Sequence, residues 1–264
     1  MTTTPARIDA IYRYPVKGLS PQKLAGTRLA PGATLPADRL YAIENGPSGF
    51  DPAAPAYFPK QRFLMLMRNE RLAALRTDYD EASHTLSIEW EGREAARGDL
   101  RTKDGRLAIE AFFRRFMPNE LRGAPKVLCG QTLSGQAHSF SDVAKKVVSI
   151  INLASVAAVE QAAGAPVDPL RFRGNVYVAG WPAWHEFELL DREIAIGAGA
   201  RLKVVKRIVR CAATEVDPET GFRDLEIPKT LLQNFGHADC GVYAEVVAAG
   251  DIAVGDAVNE TAGG

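Results

Sequence analysis

The stretch Arg201-Leu-Lys-Val-Val-Lys-Arg-Ile-Val-Arg210-Cys211 combines a predicted β-strand with an unusual concentration of positive charge. Residues 202–209 predict the strand. Five of the ten residues before Cys211 are basic, in a chain whose 32 Lys and Arg residues balance 32 Asp and Glu residues. Nearby cations favour a thiolate, which is a better nucleophile and a better ligand for a soft metal than a thiol. The alternative, which composition alone favours, is a surface strand with Cys211 as small, inert core filler.

Outward from this stretch, short strands predominate in both directions along the chain. The other predicted strands are 7–14, 39–43, 72–77, 85–90, 171–178, 193–196, 243–247 and 252–258. Helices are predicted at 107–116, 155–163 and 228–235. We expect Ser155 to cap the second helix and Gly164 to end it in the left-handed conformation. Many short strands, few helices and no strand–helix alternation indicate an α+β, mainly β fold built on barrel-like sheets.

Proline and glycine indicate where the chain is interrupted. Residues 46–59 contain four prolines and two glycines, so we expect an exposed loop there rather than a strand. The tripeptide Gly123-Ala-Pro125 is a structure breaker and predicts a junction between two halves. The sequence therefore predicts an N-terminal domain over residues 1–122 and a C-terminal domain over residues 123–264.

Composition argues against several classes of protein. The formal net charge of zero disfavours a nucleic-acid-binding surface, so we expect no nucleic acid partner. No stretch approaches the roughly 20 apolar residues of a membrane span, and the N-terminus has no apolar signal core, so we expect a cytoplasmic protein without a membrane partner. Three widely spaced cysteines suit a reducing compartment. Cys129 ends an apolar run and is predicted to be structural, whereas the role of Cys240 stays open.

Two further basic segments are candidate ligand-binding sites. If their segment is a strand, Arg171 and Arg173 point to the same face and offer two forked guanidiniums to a phosphate or a planar heterocycle. An ordinary salt-bridged strand end explains them about equally well. Lys17 lies between Pro15, which ends a predicted strand, and the flexible Gly18, so it is placed to reach into a cleft. A solvated loop lysine is the commoner explanation.

Taken in order, these segments resemble the MOSC family, named after the C-terminal domain of molybdenum cofactor sulfurases. The matching segments are Tyr14-Pro-Val-Lys17, Asp38-Arg39, Arg171-Phe-Arg173-Gly-Asn175, Arg210-Cys211-Ala-Ala-Thr214-Glu-Val-Asp217-Pro-Glu-Thr-Gly221, Gly241-Val-Tyr243 and Gly250-Asp-Ile-Ala-Val-Gly255-Asp256. The segment from Arg210 to Gly221 is the most specific. The resemblance implies an N-terminal β-barrel-like domain, followed by a MOSC β-barrel domain with a few peripheral helices.

The members that the chain most resembles are the mitochondrial amidoxime-reducing components and their bacterial relatives, in which the cysteine ligates molybdenum. By position, the resemblance implies that Cys211 is the metal ligand of a molybdenum cofactor (Mo-molybdopterin) and that Tyr243 lies beside the metal as a second catalytic residue. It implies cofactor-binding roles for the remaining matched polar residues, which are Lys17, Arg39, Arg171, Arg173, Asn175 and Thr214. Lys17 and Arg39 would bind the terminal phosphate or the pterin edge, and Arg173 and Asn175 the pterin.

The same resemblance implies a reductase of small N-hydroxylated compounds that receives electrons from a separate flavin or iron–sulfur protein. The chain has no cysteine set for an iron–sulfur cluster of its own. It departs from the family at Gly174, where relatives usually have proline, so we expect a looser loop there, and at Val209, where they often have serine. The alternatives are a carrier, in which Cys211 holds a persulfide or the cofactor is bound without turnover, and a degenerate relative that binds another anionic metabolite.

Overall fold

The computed structural model describes residues 5–131 and 138–261. Within these ranges the strands are β1 (Arg7–Arg13), β2 (Gln22–Leu24), β3 (Gly26–Leu29), β4 (Tyr41–Asn45), β5 (Arg76–Asp80), β6 (Thr85–Trp90), β7 (Arg93–Asp99), β8 (Pro125–Cys129), β9 (Val148–Asn152), β10 (Val176–Ala179), β11 (Glu193–Ile196), β12 (Ala200–Val209), β13 (Asp239–Ala248), β14 (Gly250–Ala253) and β15 (Val258–Glu260). The α-helices are α1 (Lys103–Phe116), α2 (Leu153–Ala163) and α3 (Ile227–Phe235). Short 3-10 turns occur at Lys60–Arg62, Glu70–Ala74, Pro169–Phe172, His185–Phe187 and Ala212–Glu215.

The largest element is a curled sheet of eight strands in the order β15-β11-β12-β13-β9-β10-β1-β2. Its pairs are antiparallel except for β9 and β10, which run parallel. A three-stranded sheet, β5-β6-β7, and two strand pairs, β4 with β8 and β3 with β14, complete the β-structure of the described ranges. The predicted α+β, mainly β fold with barrel-like sheets is therefore confirmed.

Strand pairing connects the two halves of the chain in both directions. Strands β1 and β2 come from the first half but extend the eight-stranded sheet, and β8 returns to pair with β4. One buried apolar cluster lines this sheet, and a second surrounds α1 through Phe113 and Phe116. The division at residue 122 stays a prediction. Because each half contributes strands to the other, side chains far apart in sequence converge between the two clusters.

Strands with clear local patterns are confirmed, and β6 and β11 have the predicted bounds. The strand predicted at 72–77 is wrong at its start, because Glu70–Ala74 forms a 3-10 turn and β5 begins at Arg76. The strand predicted at 252–258 is divided between β14 and β15 by a turn. Residues 46–59 contain no strand or helix, as predicted.

The three predicted helices are present, and their ends reflect local hydrogen bonding. Helix α2 begins two residues earlier than predicted, because Asn152 rather than Ser155 accepts the capping hydrogen bond, from the backbone N–H of Ala154. Ser155 is instead buried and donates to Glu186. Gly164 ends the helix at φ 67°, as predicted. No helix among the described residues is both long and apolar enough to cross a membrane.

Candidate functional site

A cavity of about 270 Å³ lies where the end of β12 meets loops from the first half of the chain. All eight residues that the sequence predicted for the site line this cavity: Lys17, Arg39, Arg171, Arg173, Asn175, Cys211, Thr214 and Tyr243. They come from five separate stretches of the chain. We call this space the Cys211 cavity.

Cys211 lies two residues after the end of β12 and immediately precedes the 3-10 turn Ala212–Glu215. The backbone N–H and the hydroxyl of Thr214 donate to the carbonyl oxygen of Cys211 at 3.0 and 2.9 Å. Thr214 therefore holds the turn that presents the cysteine. The half-buried sulfur of Cys211 accepts a hydrogen bond from Nζ of Lys60 at 3.4 Å.

The sequence predicts that the basic residues just before Cys211 supply the positive charge beside its sulfur, and this prediction is wrong in detail. Arg210 turns away from the sulfur and donates to the carbonyls of Cys240, at 2.7 Å, and Phe172, at 2.8 Å. Arg201, at the far end of β12, lies 3.8 Å from the carboxylate of Glu193. The cation that contacts Cys211 is Lys60. Sequence reasoning missed it because Lys60 follows an irregular loop and its contact spans 151 residues.

Asp142 connects the two lysines of the cavity and was also missed. Its carboxylate pairs with the buried Lys17 and lies 3.6 Å from Nζ of Lys60. Burial would raise the pKa of Asp142, but the two lysines hold it well below its usual range. Burial would lower the pKa of Lys60, yet Asp142 and Cys211 raise it, so its ammonium is firmly charged. Burial lowers the pKa of Lys17, and Asp142 opposes that shift.

Arg39 and Arg173 share the ring of Tyr14. Their guanidinium carbons lie 4.7 and 4.2 Å from its centroid, which is cation–π distance. Both arginines adopt left-handed backbone conformations, at φ 51° and 50°, which cost roughly 1 kcal/mol or more outside glycine. Arg39 pairs with Asp38, whereas the guanidinium of Arg173 donates to the carbonyl of Leu19, at 2.9 Å, and has no ion pair among the described residues.

Arg171 does not share a strand face with Arg173, so that part of the prediction is wrong. Pro169–Phe172 is a 3-10 turn, and the left-handed Arg173 ends it. Arg171 pairs with Asp217 at 3.1 Å and Asp224 at 2.7 Å, and so fixes the loop that follows Cys211. Its buried Nε has no hydrogen-bond acceptor among the described residues.

Asn175 joins three strands as well as lining the cavity. Its Oδ1 accepts from the backbone N–H and the hydroxyl of Ser149, at 3.1 and 2.8 Å, and its Nδ2 donates to the carbonyl of Tyr12 at 3.2 Å. Most of its hydrogen-bonding capacity therefore serves the sheet. Tyr243 of β13 lies on the cavity wall, and burial raises the pKa of its phenol, with a further contribution from Asp142.

Gly174 occupies a tightly bonded position rather than the looser loop that the sequence predicts. Its backbone N–H donates to the hydroxyl of Tyr177 at 3.0 Å, a bond that proline could not make. A Cβ atom at this position would overlap the side chain of Ile151. The departure from the Arg-Pro-Asn pattern is therefore matched by its surroundings.

Arg223 is another residue that sequence reasoning missed. One of its terminal nitrogens donates to the carbonyl of Ala212 at 2.6 Å, and the other donates to the carbonyl of Met67 at 3.0 Å. It also pairs with Glu70 and Glu215, both at 3.2 Å. Arg223 therefore clamps the turn after Cys211 to the first half of the chain, and nothing in its local sequence indicates this role.

The other two cysteines lie outside the Cys211 cavity. Cys240 is fully buried in β13, where burial raises the pKa of its thiol to about 12. Cys129 ends β8 and is half-buried. In the part of the chain that the structure describes, no three His, Cys, Asp or Glu side chains are grouped as a metal site.

Family models match nearly the whole chain. Residues 135–259 match the MOSC domain, and residues 5–116 match the MOSC N-terminal beta barrel domain. The chain belongs to the MOSC domain family. This family is associated with molybdenum cofactor binding and with molybdenum cofactor sulfurase-like and YiiM-type proteins. No curated protein matches the chain in sequence.

Two solved structures are distantly similar to this MOSC protein. The YUAD protein from Bacillus subtilis is 12% identical, with 98% of each chain covered and a TM-score of 0.46. YiiM from Geobacillus stearothermophilus is 18% identical over 44% of this chain and 54% of that chain, with a TM-score of 0.35. Both likenesses are too weak to extend to the site.

Both matched regions contribute to the Cys211 cavity. Cys211, Arg173 and Tyr243 come from the MOSC domain, whereas Lys17 and Lys60 come from the region matched by the N-terminal beta barrel model. A ligand in this cavity would therefore contact both regions at once.

Proposed function

We propose that this MOSC protein binds a molybdenum cofactor in the Cys211 cavity, with the sulfur of Cys211 as the protein ligand to the metal. The observation that carries the proposal is the contact between Lys60 and this sulfur in a strongly basic cavity. A metal held mainly by the sulfur atoms of its own cofactor readily accepts a thiolate from the protein. Cys211 supplies it, since Cys129 and Cys240 do not line the cavity.

The charge of the cavity fits an anionic, phosphate-bearing cofactor. Eight of its lining residues are Lys or Arg, whereas among the described residues Asp38 and Asp142 are the only carboxylates that line it. Phosphate groups are bound preferentially by such clusters of cations and forked donors. Lys17 and Arg39 each have a carboxylate partner already, whereas Arg173 has none among the described residues and is available to an added anion.

Arg171, Asn175 and Thr214 would contribute mainly by holding the cavity in shape rather than by contacting the ligand. Arg171 and Thr214 hold the loop around Cys211, and Asn175 holds the strands beneath it. These three residues would preorganise the cavity, which lowers the entropic cost of binding.

The reaction we propose is the reduction of an N-hydroxylated compound. A hydroxylamine takes up two electrons and two protons and yields an amine and water. The bound cofactor would supply the two-electron chemistry, and a separate flavin or iron–sulfur protein would supply the electrons. Lys60 would stabilise negative charge on the sulfur of Cys211. Because its pKa is raised, the Tyr243 phenol stays protonated at neutral pH and can donate a hydrogen bond to the departing oxygen.

Metal content and turnover test this proposal together. The wild-type protein and the variants Cys211→Ala and Cys129→Ser would be produced in a host that makes the cofactor. We expect molybdenum and benzamidoxime reduction in the wild type and in Cys129→Ser, and loss of both in Cys211→Ala. Equal molybdenum in Cys211→Ala would contradict the assignment of the ligand.

A sulfur carrier is the second candidate, and the same contact favours it. A persulfide anion on Cys211 would be stabilised by Lys60 as well as a thiolate is. In such a transfer, the thiolate takes the outer sulfur of a donor persulfide and releases the donor as a thiol. Mass spectrometry of freshly purified protein distinguishes the candidates, since only the carrier gains the mass of one sulfur atom at Cys211.

A further inference from the structure

A second cavity, of about 460 Å³, adjoins the Cys211 cavity. It lies between the β5-β6-β7 sheet and the loop after Cys211. Arg171, Arg173 and Ala213 line both cavities, so the two spaces share a wall. The volume is within the usual range for small-molecule sites. We call this second space the acid-rimmed cavity, because the carboxylates of Asp78, Glu89, Glu94, Asp168 and Glu219 line it.

The floor of the acid-rimmed cavity is apolar. Its apolar lining residues include Leu19, Leu66, Ile88, Leu170 and Val216. Most of these side chains are buried, and Ile88 is fully so. A flat or alkyl group that packs on such a floor is removed from water, and this removal favours binding. It suits the hydrocarbon body of a small molecule better than a phosphate.

The rim of the same cavity is acidic. It carries five carboxylates, which are Asp78, Glu89, Glu94, Asp168 and Glu219. Within the described ranges only Glu94 has an ion pair, with Arg97 at 3.5 Å on the exposed surface. Arg76 lines the cavity too, but its guanidinium donates to the carbonyls of Ala73, Pro218 and Glu219, each at 3.2 Å. The five carboxylates outnumber the three lining arginines, Arg76, Arg171 and Arg173, so the lining of the cavity carries a net negative charge.

Two of these carboxylates face each other directly. Glu89 of β6 and Glu94 of β7 are antiparallel partners in the sheet register. Like charges in directly opposed positions destabilise a strand pair, unless a cation lies between them. Arg76 of β5 is the register partner of Glu89, and Arg97 pairs with Glu94, so each carboxylate has one cation nearby. The pairing nevertheless brings two carboxylates together at one point of the rim, where a cationic ligand would contact both.

A third observation concerns the wall shared with the Cys211 cavity. Arg171 is buried there, and its Nε has no acceptor among the described residues. A buried donor without an acceptor costs free energy, which a ligand with an oxygen or nitrogen acceptor would recover. The acid-rimmed cavity thus offers a hydrogen-bond donor at the shared wall and negative charge at the opposite sheet.

We propose that the acid-rimmed cavity binds organic bases, with the apolar body on the floor and a cationic nitrogen at Glu89 and Glu94. As a substrate site it rests on the proposed function: the substrate is an N-hydroxylated compound with a second, basic group. Its N-hydroxyl end faces Arg171 and the Cys211 cavity. The cationic end remains at the rim while the other end is reduced.

Three probes of one shape and different charge test this proposal. They are 4-(aminomethyl)benzamidoxime, which is cationic, the neutral benzamidoxime and the anionic 4-carboxybenzamidoxime. Binding is measured by calorimetry on the cofactor-loaded protein without an electron donor. We expect the cationic probe to bind about tenfold more tightly than the neutral one, and the anionic probe to bind most weakly.

The double variant Glu89→Gln/Glu94→Gln should remove the preference for the cation. Both side chains are exposed, so the fold should persist, and the melting temperature checks this. Glu91→Gln is the matched control, because Glu91 lies in the same hairpin but does not line the cavity. Equal binding of the three probes, or a preference that survives the double variant, would overturn the proposal.

Turnover separates this proposal from the proposed function. Reduction of the probes without a charge preference would contradict the acid-rimmed cavity as a substrate site and leave the reductase intact. A charge preference in binding, lost in the double variant, without reduction by any electron donor would contradict the reductase and support the cavity as a site for organic bases.

Discussion

The ammonium of Lys60 lies 3.4 Å from the sulfur of Cys211, across 151 residues of sequence. This contact joins the region matched by the N-terminal beta barrel model to the MOSC domain. Lys60 also lies 3.6 Å from Asp142, which pairs with the buried Lys17. The sulfur of Cys211 is therefore in contact with a charge network to which both regions contribute.

Removing the charge of Lys60 should make Cys211 less reactive. In cofactor-free protein, Lys60→Met should slow alkylation of Cys211 by iodoacetamide at neutral pH by roughly tenfold, because the thiolate loses its adjacent cation. The rate is read by mass spectrometry of the peptide that contains Cys211. Lys206→Met is the matched control, since Lys206 lines the cavity without contacting the sulfur. Equal slowing in both variants would contradict a specific role for Lys60, because the effect would then come from the overall positive charge of the cavity.

Replacing Asp142 should destabilise the protein in a pH-dependent way. The pKa of Asp142 is lower in the folded protein than in the unfolded chain, where it is about 4. Its contribution to stability is therefore fully present above about pH 4 and is lost as the pH falls through the folded pKa. Asp142→Asn should lower the free energy of unfolding at pH 7 by about 1 kcal/mol or less, because the carboxylate is half exposed, and the melting temperature should fall with it.

The comparison with wild type at low pH tests whether the contribution of Asp142 to stability decreases as the pH falls. The difference in melting temperature between wild type and Asp142→Asn should shrink below pH 4, because the carboxyl group of Asp142 then takes up a proton in the unfolded chain while it is still ionised in the folded protein. Asp9→Asn is the control, since Asp9 is exposed on β1 and forms no ion pair among the described residues. A difference that stays constant from pH 7 to pH 3 would contradict the charge network.

A side chain at position 174 should destabilise the loop between Arg173 and Asn175. Gly174→Ala places a Cβ against Ile151 in a fully buried position, and such overpacking typically costs about 1–3 kcal/mol. Chemical denaturation measures the loss. Gly174→Pro should cost more, because it also removes the donor to Tyr177.

The double variant Gly174→Ala/Ile151→Ala tests the physical cause of that loss. Removing the opposing side chain makes room for the new methyl group, so the two substitutions should be less costly together than the sum of their separate effects. Strict additivity would mean that the overlap with Ile151 is not the reason for glycine at position 174.

Local patterns predicted much of the fold, and long-range contacts account for what they missed. Strands β6 and β11 and helix α3 follow from alternation and breakers within a few residues. The strand prediction for Arg171 and Arg173 failed because Pro169 starts a 3-10 turn, whose end at Arg173 is fixed by tertiary contacts.

Long-range contacts also limit how much of the site the sequence predicts. The resemblance named eight residues, and the fold brings all eight to one cavity. Lys60, Asp142 and Arg223 could not be found in this way, because each acts through partners far along the chain. The eight roles themselves remain predictions. Asn175 and Arg171 illustrate why, since most of their hydrogen bonds hold strands and loops of the protein.

X-ray absorption at the molybdenum edge tests the central claim most directly, because it counts the sulfur atoms bound to the metal. The wild-type protein and Cys211→Ser would be compared at equal molybdenum content. We predict that the serine variant has one molybdenum–sulfur contact fewer than the wild type. The same number of sulfur ligands in both proteins would contradict ligation of the metal by Cys211.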